Sequence, residues 1–133
     1  LKVSPRVLNL GEKLVRTFFV ISYPRFLTEG WFSPIINLDK IFVELRAADG
    51  LCNLSKPNFA ERAAAVINEI NAVHPFIEGN GRVCREFLKD LAARAGHPID
   101  LTRLTRESWY AAAARGFAAA DNAPMCACLL AAL

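Results

Sequence analysis

From Leu38 onward, apolar residues recur at helical spacing in segment after segment, each bounded by a residue that starts or stops a helix. A chain patterned in this way must bury one stripe of each helix against its neighbours, so a helical bundle is expected. In NLDKIFVELRAADG, Ile41, Phe42 and Leu45 share a face, Asn37 can cap the start and Gly50 suits the stop. KPNFAERAAAVINEINAV has Pro57 in a first turn and Phe59, Ala63, Val66, Ile67 and Ile70 on one stripe. Pro75 disfavours helical geometry at His74, which ends this long core helix. RVCREFLKDLAARAG aligns Val83, Phe87, Leu88, Leu91 and Ala95 on a second core face, with Gly96 as its C′ residue. Thr105 caps an alanine-rich helix in which Trp109 reads as a core aromatic and Tyr110 as a surface one, and APMCACLLAAL forms a last helix.

Residues 1–36 differ. The β-favouring run RTFFVISY is followed by PRFLTEGWFSP, punctuated by Pro24, Gly30 and Pro34, so a strand or small hairpin is expected over Phe18–Ser33. The fold class expected is mainly α, as a single domain over residues 1–133. At 133 residues and 53% hydrophobic content the chain can bury one core and is too short for two. Leu1 stands where an initiating methionine would, which suggests a fragment of a longer protein.

The net charge of +3 is mild and the Lys and Arg residues are scattered, so no nucleic-acid partner is expected. No apolar run reaches the roughly 18–20 residues of a membrane span, and no signal segment is visible, so a cytoplasmic protein is the expectation. Cys52, Cys84, Cys126 and Cys128 lack zinc-type spacing and read as reduced, small apolar residues. His97, next to Gly96, reads as a helix C-terminal turn residue.

The stretch HPFIEGNGRVCR, His74 to Arg85, joins the two core helices and carries most of the chemistry. The first N–H groups of a helix lack intrahelical partners and sit at the positive end of its dipole, so EGNG just before a helix favours an anion. Gly79 and Gly81 let the backbone approach a phosphate, and Asn80 offers an amide between them. Arg82 and Arg85 lie on adjoining positions of the new helix, and guanidinium groups match phosphate oxygens in pairs. Glu78 is an oxygen ligand for a divalent cation, and His74, which titrates near neutrality, is the candidate base for an attacking hydroxyl. Each element alone has an ordinary explanation: a turn glycine, a solvated arginine, a helix-terminal histidine. Their joint occurrence at one helix–loop–helix junction points to in-line attack on a nucleotide phosphate.

These residues resemble the signature of Fic domains, His-x-Phe-x-(Asp/Glu)-Gly-Asn-Gly-Arg-x-x-Arg, at every specified position. The resemblance extends to GEKLVRT, AARAGHPIDL and the closing stretch TRESWYAAAARGFAAADNAPMCACLL, and covers roughly Gly11 to Leu130. It implies a Fic-type helical bundle with the motif loop between two core helices, the family's usual N-terminal helices being absent from this sequence. It also implies a nucleotidyltransferase that moves AMP from ATP, with Mg²⁺, to a Ser, Thr or Tyr hydroxyl of a target protein. By resemblance His74 is the base, Glu78 holds Mg²⁺, Gly79, Asn80 and Gly81 form the anion hole, Arg82 contacts the polyphosphate and Arg85 pairs with the γ-phosphate. SYPRFLTEGWFSP falls where the family has a flap that docks target backbone by strand addition, with Gly30, Trp31 and Phe32 as its candidate residues.

One pattern of the family is missing. No Ser or Thr is followed four residues later by Glu, so the family's inhibitory Ser/Thr-x-x-x-Glu-Gly/Asn helix is not in this sequence. The resemblance then leaves an N-terminal inhibitory helix outside it, a separate antitoxin chain, or no inhibitor. It also implies a bacterial source and the role of a toxin or of an effector delivered into a host cell. Transfer of UMP or phosphocholine through the same cradle, and a non-catalytic helical interaction module, are the alternative functions.

Overall fold

The computed structural model describes residues 32–73 and 79–133. Among them are five α-helices: α1 (Phe32–Ala47), α2 (Lys56–Val73), α3 (Asn80–Arg94), α4 (Arg106–Ala119) and α5 (Ala123–Ala132). The mainly helical class expected from the periodicity is the one observed.

Helix α2 is the centre, packing against each of the other four. Phe59, Ala60, Ala63, Ala64 and Ile67 on it have no exposed surface. The alanines matter because small side chains let neighbouring helix backbones come close, and α5 lies along this helix more extensively than any other element does. Around it, α1 contributes Leu38, Ile41, Phe42 and Leu45, α3 contributes Phe87, Leu88 and Leu91, α4 contributes Trp109 and Ala112, and α5 contributes Met125 and Leu129. The Phe42 and Phe87 rings meet edge to face with centroids 5.8 Å apart, joining α1 to α3. Burial of each such large side chain stabilises the fold by about 1.5–3 kcal/mol.

Thr105 and Gly96 bound their helices as expected, and the start of α1 does not follow its expected cap. Thr105 Oγ1 accepts the Ser108 N–H at 3.1 Å and starts α4. Gly96, at φ +82°, closes α3 in a Schellman turn: its N–H reaches Ala93 O at 3.3 Å and the His97 N–H reaches Ala92 O at 2.9 Å. His97 is therefore a turn residue as read, and its ring also ties loops together, with Nε2 2.6 Å from Leu54 O and the ring centroid 5.2 Å from that of Phe59.

The exception is the start of α1. Asn37 does not cap it; the helix already begins at Phe32 and takes in Pro34. Proline is accepted in a first turn because the N–H it lacks has no intrahelical partner there. Phe32 and Ser33 are thus helical, not the end of a hairpin, and the remainder of the expected hairpin lies outside the described residues. At its other end α1 runs into a tight left-handed turn, with φ +53° at Asp49, +62° at Gly50 and +63° at Leu51. The left-handed region costs a non-glycine residue about 1–2 kcal/mol, an amount that the burial of Leu51, only 1% exposed, offsets.

Candidate active site

The site is built where α2 ends and α3 begins. Gly79, at φ +82° and ψ 9°, is the N-cap of α3, a left-handed conformation that glycine adopts without a Cβ penalty. The first backbone bond of the helix runs from the Val83 N–H to Gly79 O at 3.0 Å. The amides of Asn80, Gly81 and Arg82 therefore precede the intrahelical ladder, at the positive end of the helix dipole. No side chain can cap them from position 79, because that residue is glycine. This is the geometry that receives an anion.

Two partly buried polar contacts hold this end of the bundle. Cys84 Sγ donates to Asn71 Oδ1 at 3.2 Å, joining the first turns of α3 to the last turn of α2 on the two sides of residues 74–78. Burial pushes the Cys84 thiol up to about 12, so it is a protonated hydrogen-bond donor and no nucleophile. The Asn68 Nδ2 donates to Asn122 Oδ1 at 2.8 Å, tying α2 to the segment between α4 and α5. All four cysteines are free thiols, as the spacing implied.

Arg82 is exposed at the mouth of the turn and Arg85 is half-buried. The Arg85 guanidinium carbon lies over the Trp109 ring, 5.8 Å from its centroid. A Cβ on Gly81 would stand 3.6 Å from Trp109 Nε1 and 3.9 Å from Arg85 Nη1. The indole of α4 and the Arg85 guanidinium thus flank Gly81, and Gly81, Arg85 and Trp109 form one cluster. Trp109 was read from the sequence as a core aromatic, and at 2% exposure it is one. Sequence gave no signal that its ring would arrive beside the glycines, because that depends on how α4 packs. Gly79, Asn80, Gly81, Arg82 and Arg85 are brought together at one helix start; His74, Glu78, Gly30 and Trp31 lie outside the described residues, and Phe32 opens α1.

Among the described residues no group of three or more His, Cys, Asp or Glu side chains could hold a metal. Glu78, the residue before Gly79 in the sequence, lies outside the described residues.

A model of the Fic/DOC family matches residues 7–92. The chain belongs to the Fic/DOC family. It is 41% identical over 90 residues to "Probable protein adenylyltransferase y4lH" of Sinorhizobium fredii, a stretch covering 67% of this chain and 46% of that protein. Over 68 residues it is 43% identical to the protein adenylyltransferase VbhT of Bartonella schoenbuchensis, covering 51% of this chain and 14% of that one. The N-terminal Fic domain of a VirB-translocated effector of Bartonella quintana, solved with bound ADP, superposes with a TM-score of 0.72 at 31% identity, covering 74% of this chain and 46% of that one. BepC, a VirB-translocated effector of Bartonella tribocorum solved with bound AMPPNP, gives 0.69 at 30% identity, covering 73% and 46%. The chain thus spans less than half the length of each of these Fic relatives. Among the described residues, no helix is long and apolar enough to cross a membrane.

Proposed function

We propose that this chain is the catalytic domain of a protein adenylyltransferase, which transfers AMP from ATP to a Ser, Thr or Tyr hydroxyl of a target protein. The observation that carries it is the start of α3: a left-handed Gly79, leading amides ahead of the helical ladder, and Arg82 and Arg85 on the first turns. The adenylyltransferase names of the relatives support it, as do the solved Fic domains that hold ADP and AMPPNP.

In this reading the amides of Asn80, Gly81 and Arg82 hold phosphate oxygens, and the two arginines neutralise the polyphosphate, with Arg85 toward its far end. His74, which follows Val73 in the sequence, takes the proton of the target hydroxyl. The hydroxyl oxygen bonds to the α-phosphorus, the bond from that phosphorus to the oxygen bridging to the β-phosphate breaks, and pyrophosphate leaves. Glu78 is the residue that would hold Mg²⁺, which when bound supplies charge neutralisation to the phosphates. Gly30, Trp31 and Phe32 are assigned to docking the target. The translocated Bartonella relatives support a setting in which the domain acts inside a host cell.

The test is label transfer with Mg²⁺ and a cell lysate, using ATP labelled at the α- or at the γ-phosphate, beside His74→Ala. Label above that of the lysate without the chain, from the α-position only and lost in His74→Ala, is expected. Chain-dependent label from the γ-position would make the chain a kinase, and equal labelling by His74→Ala would remove the base.

A further inference from the structure

We propose that Trp109 is a positioning residue for phosphate binding: its indole holds the Arg85 guanidinium at the start of α3 in the orientation that meets the far end of a polyphosphate. This rests on the adenylyltransferase reading and adds to it a residue from α4, beyond Ala92, where the family match ends. The ring is buried in the core at 2% exposure and Arg85 above it is only partly buried, so a fixed surface holds a flexible side chain.

The kind of partner matters. The ion pairs between described residues, Lys40–Glu44 and Arg115–Asp121, leave Arg85 out. A carboxylate would fix an arginine by occupying the N–H donors that a phosphate needs, whereas an aromatic face attracts the charge and leaves those donors available. The same indole stands beside the place a Gly81 side chain would fill, with Nε1 3.6 Å from that Cβ position, so one ring bounds the cradle and orients its cation. An arginine ordered before binding loses less conformational entropy when phosphate arrives.

Fluorination of the indole weakens its attraction for a cation while keeping its shape, so it separates this role from packing. ATP, ADP and AMP affinities are measured by calorimetry on the wild type, on protein carrying trifluorotryptophan at position 109 only, on Trp109→Phe and on Arg85→Ala. The wild type should prefer ATP. Trifluorotryptophan should cut ATP affinity about two- to thirtyfold, the range spanned by cation–π energies of about 0.5–2 kcal/mol, and leave AMP affinity and the melting temperature unchanged. Trp109→Phe, which retains a ring, should fall between them, and fluorination in the Arg85→Ala background should change nothing further. Unchanged ATP affinity in the fluorinated protein, or an equal loss for ATP and AMP, would overturn the proposal and leave the adenylyltransferase reading standing. A wild type that binds all three nucleotides alike would overturn both the terminal-phosphate role of Arg85 and the part given to Trp109, and label transfer would still decide the function.

Discussion

Gly79 and Gly96 have the same φ of +82°, and among the described residues, chain neighbours aside, no atom lies within 4 Å of where a Cβ would stand at either. Substitution by alanine therefore meets only backbone strain at both, about 1–2 kcal/mol. Gly79→Ala and Gly96→Ala should lower the melting temperature by similar amounts, and only Gly79→Ala should lower AMP transfer, because the proposed anion site starts at Gly79 and Gly96 closes the far end of α3. A matching loss of activity in both variants would mean that stability alone set the effect. Cys84 gives a pH prediction. Its thiol is pushed up to about 12 by burial, with the nearby Arg85 charge opposing, while an unfolded thiol ionises near 8.5. The folded state keeps its proton where the unfolded state has released it, so this contribution is complete below about pH 8.5 and is lost as pH rises toward 12. Denaturant titrations should show stability falling through that window, with a shallower fall in Cys84→Ser, which keeps a donor for Asn71 and does not ionise there. An identical slope in Cys84→Ser would place the alkaline sensitivity elsewhere.

At the scale of elements, the junction of α2 with α4 leaves no room for a side chain at Gly116. A Cβ on Gly116 would fall 2.4 Å from Asn68 Nδ2 and 2.5 Å from its Cγ. Asn68 cannot swing aside freely, because it is only 7% exposed and bonded to Asn122. Gly116→Ala should cost about 1–3 kcal/mol through overpacking. Combining it with Asn68→Ala should cost less than the two single losses added, since the clash disappears with the amide. Thermal melts of the four proteins check this, and strict additivity would contradict the contact. The elements were also what the sequence displayed best. The stripes of α2 and α3 and the caps at Thr105 and Gly96 are local signals, and they coincide with the structure. The start of α1 was read too late because Pro34 was taken as punctuation, when a first turn admits proline.

For the molecule as a whole, the bundle gathers residues that sequence order keeps apart. Gly79 to Arg85 are legible as a candidate phosphate site because they are contiguous, and chemistry written within seven positions needs no tertiary information. Trp109 was legible as buried and illegible as part of that site, since its place beside Gly81 and Arg85 depends on how α4 docks. If the start of α3 is a polyphosphate cradle, as proposed, Gly81 separates its function from its stability. Alanine exceeds glycine in helix propensity by about 1 kcal/mol, and a Cβ at position 81 meets its nearest neighbour at an ordinary 3.6 Å, so Gly81→Ala should fold at least as stably as the wild type. The decisive measurement is calorimetric titration of Mg²⁺ATP into both proteins, with their melting temperatures recorded alongside. Saturable binding to the wild type, and a tenfold or greater loss in a Gly81→Ala protein of equal or higher melting temperature (about 1.4 kcal/mol or more), is the predicted result. Undiminished binding by Gly81→Ala, or none by the folded wild type, would contradict the cradle.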